Sequence, residues 1–261
     1  GLNCYSCPAA SGACPIGAFQ AVVGSSKFRF SYYITGFLIL LGVLLGRFIC
    51  GFLCPFGWFQ ELLHKIPTKK LSTKKLKPLT YLKYAVLLVM VFLLPAFLVN
   101  DVGMGDPFFC KYLCPQGVLE GAIPLSLANS GIRAALGKLF TWKFSILLSV
   151  IALSVLFYRP FCKWLCPLGA FYALFNRVSL LQMKVDKTKC VSCGKCARAC
   201  KMDVDVTKTP NHAECIRCGM CIRACPTNAV CFRYGFGDGK DKEKAAETPR
   251  KNQNNKEEQN I

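Results

Sequence analysis

Eighteen of the 261 residues are cysteine, and their spacing suggests the chemistry. Cys190, Cys193, Cys196 and Cys200 form one Cys-x2-Cys-x2-Cys-x3-Cys run, and Cys215, Cys218, Cys221 and Cys225, followed by Pro226, form a second. This spacing wraps four thiolates around a cubane [4Fe-4S] cluster, and in the two-cluster arrangement the fourth cysteine of each run serves the other cluster. Cys190, Cys193, Cys196 and Cys225 are therefore expected to hold one cluster, and Cys200, Cys215, Cys218 and Cys221 the other. Cys-x2-Cys pairs also suit tetrahedral zinc, but two full copies with the x3 step favour iron and sulfide. Lys201 stands where a proline often follows, with an expected effect on turn geometry. Gly194 and Gly219 let the backbone run close to the sulfurs. Cys231, outside both runs, is expected as a buried thiol of a closing strand.

A second cysteine pattern, Cys-x3-Cys-Pro-x-Gly, occurs three times, at Cys50/Cys54, Cys110/Cys114 and Cys162/Cys166. An imperfect copy opens the chain: Cys14-Pro-Ile-Gly-Ala-Phe-Gln matches Cys54-Pro-Phe-Gly-Trp-Phe-Gln, with Ala10 in place of the first cysteine and Cys4 and Cys7 upstream. Each copy supplies two thiolates where a cubane needs four, so two copies must meet. The alternative is disulfides or small packing residues at helix ends; for any copies that face a reducing compartment, disulfides are disfavoured.

The elements that must position these residues are apolar. Phe30 to Gly46 carries no charge, Leu79 to Val99 is broken only by Lys83, and Leu139 to Tyr158 only by Lys143. Each is about long enough to span a bilayer core, and no polar face recurs at helical spacing as it would in a soluble bundle. Lys83 and Lys143 lie near the starts of their segments and are expected to snorkel to the headgroups, beside interfacial Tyr81, Tyr84 and Trp142. Short amphipathic helices are expected after each Cys-Pro, the proline sitting in the first turn, where no donor is lost.

Three spans put residues 47–78 and everything after Arg159 on one side. Eleven Lys and Arg near the spans lie there against five on the other side, so the positive-inside rule makes that face cytoplasmic. Cys50 and Cys54 then share a face with Cys162 and Cys166, giving one complete set. Cys110 and Cys114 lie opposite with Cys4, Cys7 and Cys14, five candidates for four positions. The net charge of +19 would raise nucleic acid, but no nucleic-acid motif is present, and anionic clusters offset part of the excess. The fold expected is an α-helical membrane domain over residues 1–183, built as span, cysteine loop and interfacial helix. A small α+β two-cluster bacterial ferredoxin domain follows over 184–234, then a disordered charged tail over 235–261. The chain opens without methionine, which suggests a fragment or a processed product.

Together the Cys-x3-Cys-Pro repeats and the two ferredoxin runs resemble the NapH/MauN-type family of membrane ferredoxins, or polyferredoxins, over roughly residues 1–234. The resemblance implies a multi-pass protein of a bacterial or archaeal cytoplasmic membrane, with its ferredoxin domain in the cytoplasm. It further implies electron transfer among redox partner proteins, quinol being one candidate donor, and extracytoplasmic or membrane acceptors. Beside the two ferredoxin clusters, one or two further [4Fe-4S] clusters are expected in the membrane domain. An accessory role in assembling or regulating a metalloenzyme is the alternative. His64 and His212 both lie outside the spans, so a bis-histidine haem in the bilayer is excluded. No phosphate loop or hydrolytic constellation appears, so substrate chemistry is assigned to a partner. Asp101 to Asp106 is expected as a solvated loop.

Overall fold

The computed structural model describes residues 15–24, 32–68, 70–71, 73–98, 105–128 and 137–235. Cys4, Cys7, Cys14, Asp101 and the tail after Gly235 lie outside these residues.

The first part is helical. In chain order come α1 (Pro15–Gly24), α2 (Tyr32–Leu45), α3 (Phe48–Phe52), α4 (Pro55–His64) and the long α5 (Leu76–Phe97). They are followed by α6 (Phe109–Leu113), α7 (Val118–Ala122), α8 (Ile123–Ala128), α9 (Lys138–Leu156), α10 (Pro160–Trp164) and α11 (Pro167–Phe175). Helices α5 and α9 are long and apolar enough to cross a bilayer. The 14 residues of α2 rise about 21 Å, short of a hydrocarbon core of about 30 Å. Large apolar side chains on their outer faces stay uncovered, among them Phe37, Leu40, Leu88, Leu148 and Trp142. Helix α5 widens into a π-helical stretch over Leu87–Leu93, just before Pro95. Proline has no N–H to return and its ring crowds the carbonyl four residues back, so a widened turn relieves the conflict.

The Cys-Pro helices start as the sequence demands. Pro55 and Pro167 occupy first-turn positions, and the preceding Cys54 and Cys166 cap the helices, each sulfur accepting the amide of Gly57 or Gly169 at 3.4 Å. Helix α1 packs against α2, α5 and α11, and α4 packs against α9, so these helices line the core. Phe19 of α1 and Phe171 of α11 approach with ring centroids 6.0 Å apart.

Beyond α11 the chain forms a small cysteine-rich domain with β1 (Leu181–Val185), α12 (Lys195–Ala199), α13 (Met220–Arg223) and β2 (Val230–Tyr234). The two strands pair antiparallel, Leu181 opposite Tyr234 and Val185 opposite Val230, so the domain's first strand begins at Leu181. Met183, Cys196, Val206, Cys225 and Val230 make its core. Gly194 (φ +67°) and Gly219 (φ +75°) turn the chain into α12 and α13 in the left-handed region, where a side chain would be strained. Cys231 lies in the closing strand but is exposed, correcting the expectation of a buried thiol: β1 and β2 form a two-stranded sheet that leaves one face uncovered.

Buried charge fastens this domain to the helices. Glu214 accepts from Arg47 at 3.0 Å and pairs also with Lys83, and both cations are fully buried. Arg47 additionally donates to the Ala213 carbonyl at 2.7 Å. Arg217 donates to the Leu45 and Asn176 carbonyls at 2.8 and 2.7 Å, and Asn176 donates to the His212 and Cys215 carbonyls. Gly46, at φ +55°, is needed here, since a Cβ would lie 2.5 Å from the Arg217 guanidinium. Lys163 pairs with Asp203 at 2.8 Å. Lys83 therefore does not snorkel, nor does Lys143, which donates to the Cys110 carbonyl at 3.0 Å. Protein partners satisfy both ammonium groups better than a mobile headgroup would.

Burial pushes the Glu214 carboxyl up, but Arg47 and then Lys83 outweigh it and hold the pKa below the ordinary glutamate value. A depressed carboxylate contributes stability above its unfolded pKa of about 4.3, and loses it as pH falls through the folded value. Glu214→Gln, which leaves Arg47 and Lys83 buried without a counter-charge, is expected to cost about 3–5 kcal/mol. Thermal unfolding of the two proteins from pH 7 to pH 3 checks this: the wild type should lose part of its advantage below about pH 4.

Candidate iron–sulfur centres

The loops before α4 and α11 bring four thiols into one electrostatic neighbourhood. Cys166 lies within electrostatic reach of Cys162, Cys50 and Cys54, and Cys54 of Cys162. None of the four is in a disulfide. Two arginines frame the set. Arg159, third before Cys162, reaches across to donate to the Cys50 carbonyl at 2.8 Å and pairs with Glu61 at 2.6 Å. Its backbone sits at φ +49°, a strained conformation for a side-chain-bearing residue that the two bonds hold in place. Arg47, third before Cys50, lies against the opposite loop, where a Cβ on Gly169 would be 3.5 Å from its guanidinium. Gln60 completes the site. It is fully buried, donates from Nε2 to Cys162 Sγ at 3.2 Å, and accepts the Phe161 amide on Oε1 at 3.2 Å.

Burial raises the Cys50 and Cys162 thiols, with Arg47 and Arg159 opposing, and takes Cys54 up to about 11. Unmetallated, these are neutral thiols, and iron must displace their protons. Nε of Arg159 is buried without a hydrogen-bond partner among the described residues, and the buried Arg47 guanidinium is turned toward the Cys50 thiol. Buried donors normally find a partner, and an anionic group between the thiols would provide it. Four sulfurs with a spare cationic donor fit a [4Fe-4S] cube. Among the described residues no three His, Cys, Asp or Glu converge on a single metal ion, and a cube needs its four sulfurs set wider than one ion does.

In the cysteine-rich domain, Cys200, Cys215, Cys218 and Cys221 line one cavity together with Met202 and Ile216. Cys221 feels the charge of the other three thiols, and burial, the larger cause, pushes it up to about 12. Cys225, the last cysteine of the second run, instead neighbours Cys196 of the first. Cys190 packs at the edge of the core that holds Cys196 and Cys225, and Cys193 is exposed. The two groups differ in placement. Cys200 and Cys218 pack against a cluster in which Tyr158 of the helical part joins Met202, Val204 and Ile216. Lys201 lies over the Tyr158 ring at 5.2 Å, so the residue that replaces the usual proline serves this contact. The loop between Cys50 and Cys54 touches the same region, where a Cβ on Gly51 would lie 2.6 Å from the Ile216 carbonyl.

At the other end, Cys110 and Cys114 are buried beside α1 and α9. Gln20, fully buried, donates to Cys110 Sγ at 3.4 Å and accepts the Phe109 amide at 3.2 Å. Cys4, Cys7 and Cys14 fall outside the described residues, so Cys110 and Cys114 alone of that set are placed. Asp106 pairs with Lys111 at 2.6 Å. Neither histidine is bonded to a sulfur among the described residues: His64 packs edge-on against Tyr158, and His212 accepts the Glu214 amide.

Sequence reasoning left Arg47, Arg159, Gln20, Gln60, Glu214 and Gly51 without roles, although the repeats carried a signal for most. Arginine stands three residues before the first cysteine in two copies, and glutamine six after the second cysteine in two copies. Gly51 replaces the lysine found at Lys111 and Lys163. Glu214 has no such marker.

The 4Fe-4S binding domain family model matches residues 12–33, 30–74, 83–123 and 139–188, and the 4Fe-4S dicluster domain model matches residues 182–226. An uncharacterized protein of Methanocaldococcus jannaschii is 31% identical over 76% of this chain and 77% of its own length. The methylamine utilization ferredoxin-type protein MauN of Paracoccus denitrificans is 29% identical over 63% of this chain, and the ferredoxin-type protein NapH of Haemophilus influenzae 26% over 42%. The matched region spans only 50% and 53% of those two proteins. No solved structure matches the chain. The chain belongs to the NapH/MauN-type 4Fe-4S ferredoxin family.

Exposure ranks the thiols for reaction. Alkylation of the apoprotein at neutral pH should label Cys193 and Cys231 first and Cys50, Cys162 and Cys110 last, as read by peptide mass spectrometry. Gly51→Ala drives a methyl group into the Ile216 carbonyl and should lower the melting temperature by the equivalent of about 1–3 kcal/mol.

Proposed function

We propose that this chain is a multi-pass membrane electron relay, with α5, α9 and the longer apolar run Phe30 to Gly46 that contains α2 as its spans and the cysteine-rich domain on the cytoplasmic side. Cys190, Cys193, Cys196 and Cys225 hold the [4Fe-4S] cluster nearest the solvent. Cys200, Cys215, Cys218 and Cys221 hold the one facing the bundle. Cys50, Cys54, Cys162 and Cys166 hold a third in the membrane domain. Cys110 and Cys114 hold a fourth on the far side, with two of Cys4, Cys7 and Cys14. When bound, such a cube supplies one-electron storage at a potential set by charge, burial and hydrogen bonds around its sulfurs.

The chain's own residues set the order and the spacing. Exposed Cys193 marks the end open to a soluble redox partner. Tyr158, Ile216 and Gly51 hold the second cysteine set against the third. The observation that carries the proposal is the inward fold of the Cys-Pro helices. A bilayer core of about 30 Å would separate sites confined to its two surfaces, whereas Phe19, one residue from Gln20 on the Cys110 side, packs at 6.0 Å against Phe171, five residues from Cys166. Uncovered apolar faces on α2, α5 and α9 support lipid contact. The donor is a cytoplasmic redox protein or quinol, and chemistry on a substrate is left to a partner of this relay.

Anaerobically purified protein should contain about sixteen irons; about eight would confine clusters to the cysteine-rich domain and defeat the relay. Cys50→Ser and Cys162→Ser should each remove about four irons, and the double variant no more than either alone, since one cube of four irons would serve both residues. In liposomes, reduction from the cytoplasmic face should reduce an enclosed acceptor, and no reduction would overturn the transmembrane path.

A further inference from the structure

Two fully buried glutamines repeat one arrangement at the two ends of the bundle. Gln60 sits six residues after Cys54 and Gln20 six after Cys14. Each side chain folds back along its helix, Nε2 lying 3.3 Å from the Phe56 carbonyl and 3.5 Å from the Ile16 carbonyl, four residues earlier. Each reaches across to a different Cys-x3-Cys-Pro copy, where it meets the first cysteine and the amide of the phenylalanine before it. Gln60 meets Phe161 and Cys162, and Gln20 meets Phe109 and Cys110. The amide fixes the orientation: a backbone N–H only donates, so Oε1 must face it and Nε2 is left to point at the sulfur. The two later copies have Glu120 and Tyr172 at the corresponding position, so the donation runs one way, from the earlier copy to the copy two further on.

We infer that Gln20 and Gln60 are matched positioning residues that donate to one ligand sulfur at each membrane site and raise its reduction potential. This rests on the reading that Cys162 and Cys110 ligate clusters. Reduction adds negative charge that spreads onto the ligand sulfurs, and an N–H aimed at one of them stabilises the reduced form. The burial of both amides excludes water that would otherwise compete. The same contacts lock each first cysteine through the amide before it, so the second and fourth copies are registered together, and likewise the first and third.

The test is potentiometric titration followed by EPR on holoprotein, with the two ferredoxin-domain clusters as internal references. Gln60→Leu removes both bonds, whereas Gln60→Glu keeps the acceptor for the Phe161 amide and withdraws the N–H donor. Both should shift one membrane signal to lower potential and leave the references in place, and Gln20→Leu should shift a different signal. Unchanged potentials in all three variants would overturn the inference. So would loss of about four irons from both Gln60 variants, which would make the glutamine a structural clamp alone. Wild-type protein with about eight irons would overturn the ligation reading itself, and the glutamine role with it.

Discussion

Glu214 is shared by two fully buried cations from separate parts of the helical bundle, and the rest of the arrangement depends on that sharing. Arg47 ends the approach to the Cys50 loop and Lys83 sits in α5, so closing these elements together without a counter-charge would bury two uncompensated positive groups. Burying ions unpaired is far costlier than any local packing gain. The bundle is thus complete only when the cysteine-rich domain is seated. That seating in turn brings Ile216 against Gly51, and Cys200 and Cys218 against the cluster that Tyr158 joins. Separation between neighbouring cysteine sets is therefore a consequence of charge compensation, with no flexible linker to blur it.

Around this anchor the second and fourth Cys-Pro copies treat one another reciprocally. Arg159 of one bonds the Cys50 carbonyl of the other, while Arg47 lies against the Gly169 turn. Gly57 and Gly169 make these approaches possible, each Cβ position lying 3.3 Å from the carbonyl of its own copy's first cysteine. The glutamine contact breaks the symmetry, since only the earlier copy of each pair carries it. Duplication supplied the reciprocal framework, and divergence at single positions gave the copies separate tasks. Gly51, where the other two copies have lysine, is the plainest case: a side chain there would hold the cysteine-rich domain away.

Much of this was legible before any coordinates. Cysteine spacing between 190 and 225 marked two runs suited to wrapping four sulfurs around a cube, and the structure likewise sets Cys200 with the second run and Cys225 beside Cys196. Apolar runs and the Cys-Pro step likewise dictated helices and their first turns. The partners of the buried charges were not legible. Lys83 and Lys143 look like snorkelling residues by position, because a sequence records distance from a span's end but not which acceptor folds over it. Cys231 looks buried by composition, because nothing local reveals that a two-stranded sheet leaves a face bare.

The sequence by itself determined the cysteine inventory, the repeat and the helical character, all of which depend on local spacing and on period. Tertiary structure alone decided that the Cys-Pro helices turn into the core, where Phe19 meets Phe171, and that Glu214 serves Arg47 and Lys83. It also decided which sulfur each glutamine addresses. The physical reason is common to all three. Residues 102 or 131 positions apart meet only because low-dielectric burial makes every donor and charge find a partner, wherever in the chain that partner lies.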